Sequence, residues 1–338
     1  MKIIFVNFAL VLACMSLLEI FLQVSTKPSP SNRVESKDLC YQYDDPKYGH
    51  RPRPNCKTTA ERIYQGKSVY KVDYIYDAFG RRIATPKQSN LPKKTFLALL
   101  GDSNIFGEGL PGEETIAANL SRMNPDHAVY NYAVSGYGLN QQLSLAGSSR
   151  FKDEIREGTG YFFTFYLDHM EERLIGSIDY LSWGANAPYW SLQSSGLLEF
   201  KGRFEDALPL KTWVARTLLP SSKLLQSFRR ILKLDFMETR GKNSQKYTCS
   251  SHKQIQKGID IQKPGSKLVV VLPLVTRALP NYLSCLQDHI KVLDLRQHPD
   301  FLERSETQIA PNIDRHMNAK YASALALQIS DWLKTQDK

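Results

Sequence analysis

Apolar and polar positions follow two alternating patterns along most of the chain. Short apolar runs of strand length recur between stretches in which apolar residues return every three or four positions. Because strands that alternate with helices pair in parallel, this pattern predicts an α/β fold, with a mostly parallel sheet and helices on both of its faces. The predicted strands are Thr95–Leu100, Ala128–Ala133, Tyr161–Leu167, Leu268–Leu272 and Val292–Leu295. The predicted helices are Glu113–Met123, Asn140–Phe151, Lys253–Gln262 and Asn318–Lys334.

A segment from residue 177 to residue 245 interrupts this alternation. Two strand-like runs, Tyr189–Gln193 and Leu197–Phe200, flank a three-residue turn and predict a hairpin. Leu210–Lys233 has helical periodicity that Pro220 is expected to break. Because this insertion is rich in aromatic residues, it is a candidate lid or substrate wall, and a stabilising subdomain packed on the sheet is the alternative.

The chain before the first core strand shows two different patterns. Residues 26–60 are interpreted as a linker, because Lys27–Asn55 contains five prolines and no apolar periodicity. Ser68–Tyr76 then alternates apolar and polar residues and predicts a strand, followed by a turn over Asp77–Arg82. We therefore expect one main domain from residue 61 to residue 338.

The N-terminus carries a long apolar stretch, Ile3–Val24, behind Lys2. Its length is sufficient for a helix to cross the hydrocarbon layer, so the stretch (residues 1–25) predicts an uncleaved signal anchor. A cleaved signal peptide and a lipoprotein signal ending at Cys14 are the alternatives. Under all three hypotheses the rest of the chain is exported, and the short N-terminus favours a cytoplasmic start.

Composition limits the classes of partner. With 338 residues, 42% of them hydrophobic, the chain can bury a sizeable core. The net charge is +10, but the basic residues are scattered and form no zinc-finger or basic-helix pattern. This charge indicates weak affinity for anionic membranes or polymers, and nucleic acid is not an expected partner.

The cysteines are consistent with an exported domain. Four of the five, all except Cys14, follow the apolar stretch. Their order along the chain suggests the pairs Cys40–Cys56 and Cys249–Cys285, one of three possible pairings. Four unpaired, partly buried thiols are the alternative.

A serine follows the first core strand at a sharp turn. Gly101-Asp102-Ser103 ends the apolar run, and a strand, turn and helix in this order present a nucleophile at the carboxyl edge of an α/β sheet. A plain turn in which Asp102 or Ser103 caps the next helix is the alternative.

Two further motifs could serve such a nucleophile. Gly136 follows the second core strand and could offer its N–H to a developing oxyanion, although a turn glycine is the simpler interpretation. His316 precedes the last helix and could act as general base, with Asp314 orienting its ring. A helix-capping Asp beside an incidental His is the alternative.

Together, the motifs GDSNIFGEG (101–109), NYAVSGYG (131–138) and DRHMNAK (314–320) resemble those of the SGNH (GDSL-type) hydrolase family. The resemblance runs from about residue 95 to residue 335, with the insertion set aside. It implies a flavodoxin-like α/β/α fold and metal-free ester chemistry without a cofactor. By position, Ser103 would be the nucleophile, His316 the base and Asp314 its orienter, with the N–H groups of Ser103 and Gly136 in the oxyanion hole. Tyr76–Arg82 and the N-terminal stretch look like membrane-anchored bacterial members, which implies a single-pass inner-membrane protein with a periplasmic domain.

Two departures from the family pattern concern the site. The family spaces its Asp three residues before the His, whereas Asp314 and His316 are two apart. The family also places an Asn after the third strand, where this chain has Asp168-His169. An ionised Asp cannot donate a hydrogen bond, so His169 or a local water would replace the amide, with Asp168 holding the ring. A helix-capping Asp and its neighbour is the alternative.

These residues support a leading hypothesis and two others. The leading hypothesis is a serine esterase that removes acyl groups, such as O-acetyl, from an envelope glycan or a lipid through an acyl-enzyme. An O-acyltransferase acting on a cell-envelope polysaccharide would use the same residues. A non-catalytic binding protein on a hydrolase fold is favoured only by the altered Asp168-His169.

Overall fold

A computed structural model describes residues 2–25, 32–35, 40–83, 93–225, 227, 242–273, 286, 290–296, 304–311 and 313–336. The chain starts with a helix, an antiparallel sheet in the order β1-β4-β5 and a separate β2–β3 hairpin. These elements are α1 (Lys2–Ser25), β1 (Asn32–Glu35), β2 (Tyr41–Asp45), β3 (Gly49–Pro52), β4 (Lys57–Tyr64) and β5 (Lys67–Ile75).

Part of the predicted linker is folded. Strands occupy much of residues 40–60, and a disulfide joins Cys40 to Cys56. Tyr41 and Tyr48 are buried in the core despite the prolines around them, so the linker prediction is wrong over this part. Cys249 is also disulfide-bonded, but its predicted partner Cys285 lies outside the described residues.

Helix α1 contacts the insertion through Glu19. Its carboxylate accepts hydrogen bonds from Ser222 Oγ at 2.8 Å and from the backbone N–H groups of Lys223 and Leu224 at 2.7 and 2.8 Å. Within the described ranges, no helix has both the length and the apolar character needed to cross a membrane. The transmembrane role predicted for Ile3–Val24 stays a prediction.

The first half of the α/β core follows the predicted order of strands and helices. Thr115 caps α3 through its side chain, so a separate 3-10 turn, Gly112–Glu114, precedes that helix. Gly147 ends α4, which divides the predicted Asn140–Phe151 helix in two. The elements are β6 (Thr95–Leu100), α2 (Ser103–Phe106), α3 (Ile116–Met123), β7 (His127–Asn131), α4 (Leu139–Ala146), α5 (Arg150–Glu154), β8 (Thr159–Phe165) and α6 (Asp168–Ile175).

The insertion contains the predicted hairpin and has a small core of its own. Pro220 lies in the first turn of a short helix rather than breaking one, because proline is tolerated at that position. The small core consists of Tyr180, Leu181, Ala187, Phe204 and Ala215. The elements are α7 (Ile178–Gly184), β9 (Pro188–Leu192), β10 (Leu198–Arg203), α8 (Phe204–Ala207), α9 (Pro209–Trp213), the π-helical turn Val214–Leu218 and α10 (Leu219–Ser221).

The remaining elements complete a five-stranded sheet. Its order is β12-β11-β8-β6-β7, and every neighbouring pair is parallel. Helix α3 packs against α12 and α4 against α11, so the architecture is three-layer α/β/α and the predicted fold class is confirmed. The elements are α11 (Lys242–Gln262), β11 (Lys267–Leu272), β12 (Lys291–Asp294), the 3-10 turn Arg304–Thr307, β13 (Gln308–Ala310), β14 (Asp314–Met317) and α12 (Ala319–Gln336).

The sheet brings the polar motifs to one edge. Strand β6 lies inside the sheet, between β8 and β7, and is fully buried from Phe96 to Leu100, so its position is fixed by packing on both faces. Because the strands are parallel, the turns after β6, β7 and β8 lie at the same carboxyl edge. These turns carry Ser103, Gly136 and His169.

Candidate active site

Ser103 lies at the first position of the single-turn helix α2. Gly101 is required before it, because a Cβ there would lie 2.5 Å from the Ile105 side chain. Asp102 caps the helix, with its Oδ1 accepting the N–H of Asn104 at 3.0 Å. The turn is therefore fixed on both sides of the serine.

Ser103, His316 and Asp314 form a continuous chain of contacts. Ser103 Oγ lies 2.8 Å from His316 Nε2, and His316 Nδ1 lies 2.6 Å from Asp314 Oδ1. The tautomer with its proton on Nδ1 satisfies both contacts, since Nδ1 then donates to the carboxylate and Nε2 accepts from the hydroxyl. The geometry expected of a nucleophile, base and orienter is present, while the catalytic roles stay predictions.

The two-residue spacing of Asp314 and His316 has a simple structural reason. Both residues belong to β14, which pairs with β13 in a short antiparallel hairpin. In a strand, residues two apart point to the same side. A spacing of two therefore brings this carboxylate to its histidine.

Neighbouring charges shift the pKa values of Asp314 and His316. Arg62 on β4 lies 3.3 Å from Asp314 Oδ2, and the Asp314 side chain is fully buried. Burial raises the pKa of Asp314, but the hydrogen bond and charge of His316, together with Arg62, outweigh it and lower that pKa. Burial lowers the pKa of His316, but the Asp314 hydrogen bond and the charge of Glu108 outweigh it and raise that pKa.

Glu108 is a site residue that the sequence did not indicate. Its Oε2 lies 3.7 Å from His316 Nε2 and accepts a hydrogen bond from Ser135 Oγ at 2.7 Å. Tyr70 Oη lies 3.5 Å from Oε1. The only available signal was its position between Gly107 and Gly109, both of which have positive φ. Such glycines fold the loop after α2 back towards the serine.

Gly136 adjoins the serine turn through the loop after β7. Its φ is +88°, and an added Cβ would lie 3.3 Å from both the His50 and Trp183 rings. Within the part of the chain that the structure describes, neither the Ser103 nor the Gly136 N–H donates a hydrogen bond. Their role as oxyanion donors stays a prediction.

His169 contacts Asp102, and the predicted contact of His169 with Asp168 stays a prediction. Its Nε2 lies 2.6 Å from Asp102 Oδ2, and Arg173 lies 3.8 Å from the same oxygen. Burial raises the pKa of Asp102, but the charge of His169 and its hydrogen bond, with Arg173, hold it well below the ordinary value. The side chain of Asp168 lies outside the described residues. An oxyanion role for His169 stays a prediction, and it requires the protonated ring, in which both nitrogens donate.

Two clefts meet at Ser103. The larger, of about 860 Å³, also contains His169, Asp314 and His316. The smaller, of about 590 Å³, contains Gly136 and residues of the insertion. The residues lining the smaller cleft are Tyr41, Asp44, His50, Ser103, Glu108, Ser135, Gly136, Arg173, Tyr180, Trp183, Gly184, Asn186, Ala187, Glu205 and Arg216.

Arg82 binds the backbone that follows Ser103. It is buried, and its guanidinium donates to the carbonyls of Phe106, Gly107 and Leu110 at 2.8, 2.5 and 2.5 Å. It also lies 4.5 Å from the centroid of the Tyr74 ring. These contacts hold the end of α2 and the loop that carries Glu108.

No family model and no curated protein matches the chain. Among solved structures, it is similar to a lipolytic protein of the G-D-S-L family from Desulfitobacterium hafniense DCB-2. The TM-score is 0.36 at 12% identity, over 71% of this chain and 99% of that chain. It is also similar to a carbohydrate esterase family 2 enzyme with a carbohydrate-binding domain from Corynascus thermopiles (Myceliophthora fergusii). The TM-score is 0.37 at 10% identity, over 91% of this chain and 87% of that chain. Likenesses this weak carry no functional argument.

Proposed function

We propose that the protein is a serine esterase that cleaves acyl esters through an acyl-enzyme. The observation that carries this proposal is the contact chain from Ser103 Oγ through the His316 ring to the buried Asp314 carboxylate. A serine hydroxyl is a weak nucleophile unless a base removes its proton as it attacks, and His316 Nε2 is within hydrogen-bond distance for that transfer.

Acylation uses the whole contact chain. Ser103 Oγ attacks the ester carbonyl carbon while His316 Nε2 takes the hydroxyl proton, which gives a tetrahedral oxyanion. The N–H groups of Ser103 and Gly136 stabilise that charge, and Asp314 stabilises the imidazolium. Nε2 then gives the proton to the alcohol oxygen as the ester bond breaks.

Deacylation repeats the sequence with water. Nε2 removes a proton from water, the resulting hydroxide attacks the acyl carbon, and Ser103 leaves with the proton that Nε2 returns. The products are a carboxylic acid and an alcohol. The ester and one water molecule are consumed, and the atoms and protons balance with no further reactant.

The proposed location is the extracytoplasmic side of a bacterial inner membrane, with an ester of an envelope glycan or lipid as substrate. The Cys40–Cys56 disulfide supports export, because disulfides persist in oxidising compartments.

Covalent labelling tests the proposal directly. A fluorophosphonate should label the purified full chain at Ser103, and 4-nitrophenyl acetate should be turned over. Ser103→Ala should abolish both signals, while Ser135→Ala, in the neighbouring loop, should keep the label. Absence of labelling and turnover in a folded wild-type protein would leave the binding-protein hypothesis in front.

A second candidate is an O-acyltransferase. The position of Ser103 at the junction of two clefts favours it, because a second cleft offers room for an acceptor hydroxyl in place of water. With an acyl donor present, increasing concentrations of a sugar acceptor should shift the product from free acid to a new ester. Release of acid that is unchanged by every acceptor argues for a hydrolase.

A further inference from the structure

Trp183 stands half exposed in the smaller cleft. It belongs to helix α7 of the insertion, and 53% of its surface is accessible. Its orientation is nevertheless constrained, because Tyr180 packs against it edge-on at 4.8 Å between ring centroids and the Arg173 guanidinium lies 5.5 Å from its ring. An indole that is held in place while half exposed is a preformed apolar surface for a ligand.

This indole adjoins the reaction centre. Its Cζ3 would lie 3.3 Å from a Cβ at Gly136, the residue whose N–H is the proposed second oxyanion donor. Ser103 lines the same cleft. A ligand packed on Trp183 is therefore next to the ester group that Ser103 attacks.

Glu108 lies between the smaller cleft and His316 Nε2, the nitrogen that transfers the proton. Its carboxylate lines the cleft and lies 3.7 Å from His316 Nε2. The alcohol oxygen of the ester receives its proton from this nitrogen. His316 itself lines the larger cleft, but an alcohol portion held beside Glu108 in the smaller cleft would lie close to its Nε2.

The remaining lining is rich in hydrogen-bonding groups. Asp44, Asn186, Glu205 and Arg216 line the cleft together with Glu108. An alkyl chain placed here would remove charged groups from water without replacing their hydrogen bonds. A ligand with several hydroxyls and an apolar face can satisfy these groups and also pack on the indole.

We propose that the smaller cleft is a carbohydrate-binding site that holds the alcohol portion of the ester as a sugar ring. The apolar C–H face of the ring packs on Trp183, while its hydroxyls donate to Glu108 and the neighbouring carboxylates and accept from Arg216. This assignment rests on the proposed esterase function and specifies its substrate as an O-acylated sugar.

Trp183→Ala tests the assignment with two substrates of the full-length protein. For mono-O-acetylated glucose, kcat/KM should fall by about tenfold or more, as expected on truncation of an aromatic anchor. For 4-nitrophenyl acetate, whose alcohol carries no hydroxyls, kcat/KM should change by less than about twofold. Trp183→Phe should restore most of the activity on the acetylated sugar.

Trp213→Ala is the matched control. Trp213 also belongs to the insertion and is 51% exposed, but it lines neither of the two clefts. This variant should treat both substrates as the wild type does. Equal losses on both substrates in Trp183→Ala, or no loss on the sugar ester, would overturn the assignment.

A binding measurement separates this inference from the esterase proposal. Titration with methyl glucoside should change the intrinsic tryptophan fluorescence of the wild type and of Trp213→Ala, but not that of Trp183→Ala. If the wild type hydrolyses neither ester yet shows this response, the esterase proposal fails while the sugar site stands. Only the sugar site fails if the wild type hydrolyses 4-nitrophenyl acetate but shows no fluorescence response, and if Trp183→Ala hydrolyses sugar esters as fast as the wild type.

Discussion

Glu108→Gln should move the acidic limb of the pH–rate profile to lower pH. His316 must be neutral to act as a base, and its raised pKa means that activity is lost as the pH falls through a value above that of an ordinary histidine. The Glu108 carboxylate favours the imidazolium through its charge. Its removal lowers the pKa of His316 and extends activity into more acidic solution.

The distance between the two groups sets the size of this shift. For unit charges 3.7 Å apart, Coulomb's law gives about 1.1 kcal/mol at a dielectric constant of about 80 and about 4.5 kcal/mol at about 20. Removing the Glu108 charge should lower the pKa of His316 by an amount that reflects an interaction energy between these bounds. Both side chains are mostly buried, so the smaller figure is a lower bound.

The assay is kcat/KM for 4-nitrophenyl acetate between about pH 4 and pH 9, since this profile reports the ionisations of the free enzyme. Glutamine keeps the shape of the side chain, and the Ser135 hydroxyl can donate or accept, so its contact is retained. Glu113→Gln removes the same charge from an exposed site beyond the same loop and should leave the limb in place. An acidic limb that is unmoved or displaced to higher pH in Glu108→Gln would refute the electrostatic argument.

Three further predictions concern the nucleophile, the oxyanion and the N-terminal disulfide. Ser103→Ala and His316→Ala should each remove nearly all 4-nitrophenyl acetate turnover, and the double variant should be scarcely slower, because members of such a chain act as a unit; additive losses would contradict this. His169→Ala should lower kcat by about 10²-fold or more with little change in KM, and unchanged turnover would reject its oxyanion role. The Cys40→Ser, Cys56→Ser double variant should lose about 3 kcal/mol of unfolding free energy in a denaturant titration, and an unchanged midpoint would show that the closed loop contributes nothing.

The sequence predicted the bounds of an element best where the element is both buried and regularly patterned. The prediction for strand β6, Thr95–Leu100, matches the structure to the residue. A continuous apolar run between turn residues is compatible with few structures other than a buried strand. The ends of helices were predicted less well. Thr115 and Gly147 cap helices inside two predicted helical stretches, and capping depends on local backbone conformation that periodicity does not report.

The candidate site was predicted only in part. A local motif contains each of Ser103, His316 and Asp314. Once a parallel sheet was assumed, the three side chains could be predicted to lie close together. Glu108 and Arg62 act through contacts between distant segments, and neither belongs to a recognisable local pattern. The contact of His169 with Asp102 also joins two distant segments, and no local pattern indicated it.

The position of Arg62 has a consequence for biosynthesis. Arg62 leaves the ribosome early, but Asp314, the carboxylate that it contacts, follows about 250 residues later. Domains generally fold from the N-terminus while synthesis continues, yet this ion pair cannot form until almost the whole polypeptide has emerged. A nascent or prematurely terminated product therefore lacks the buried Asp314–Arg62 pair beside His316, and the proposed esterase activity would appear only when translation is nearly complete.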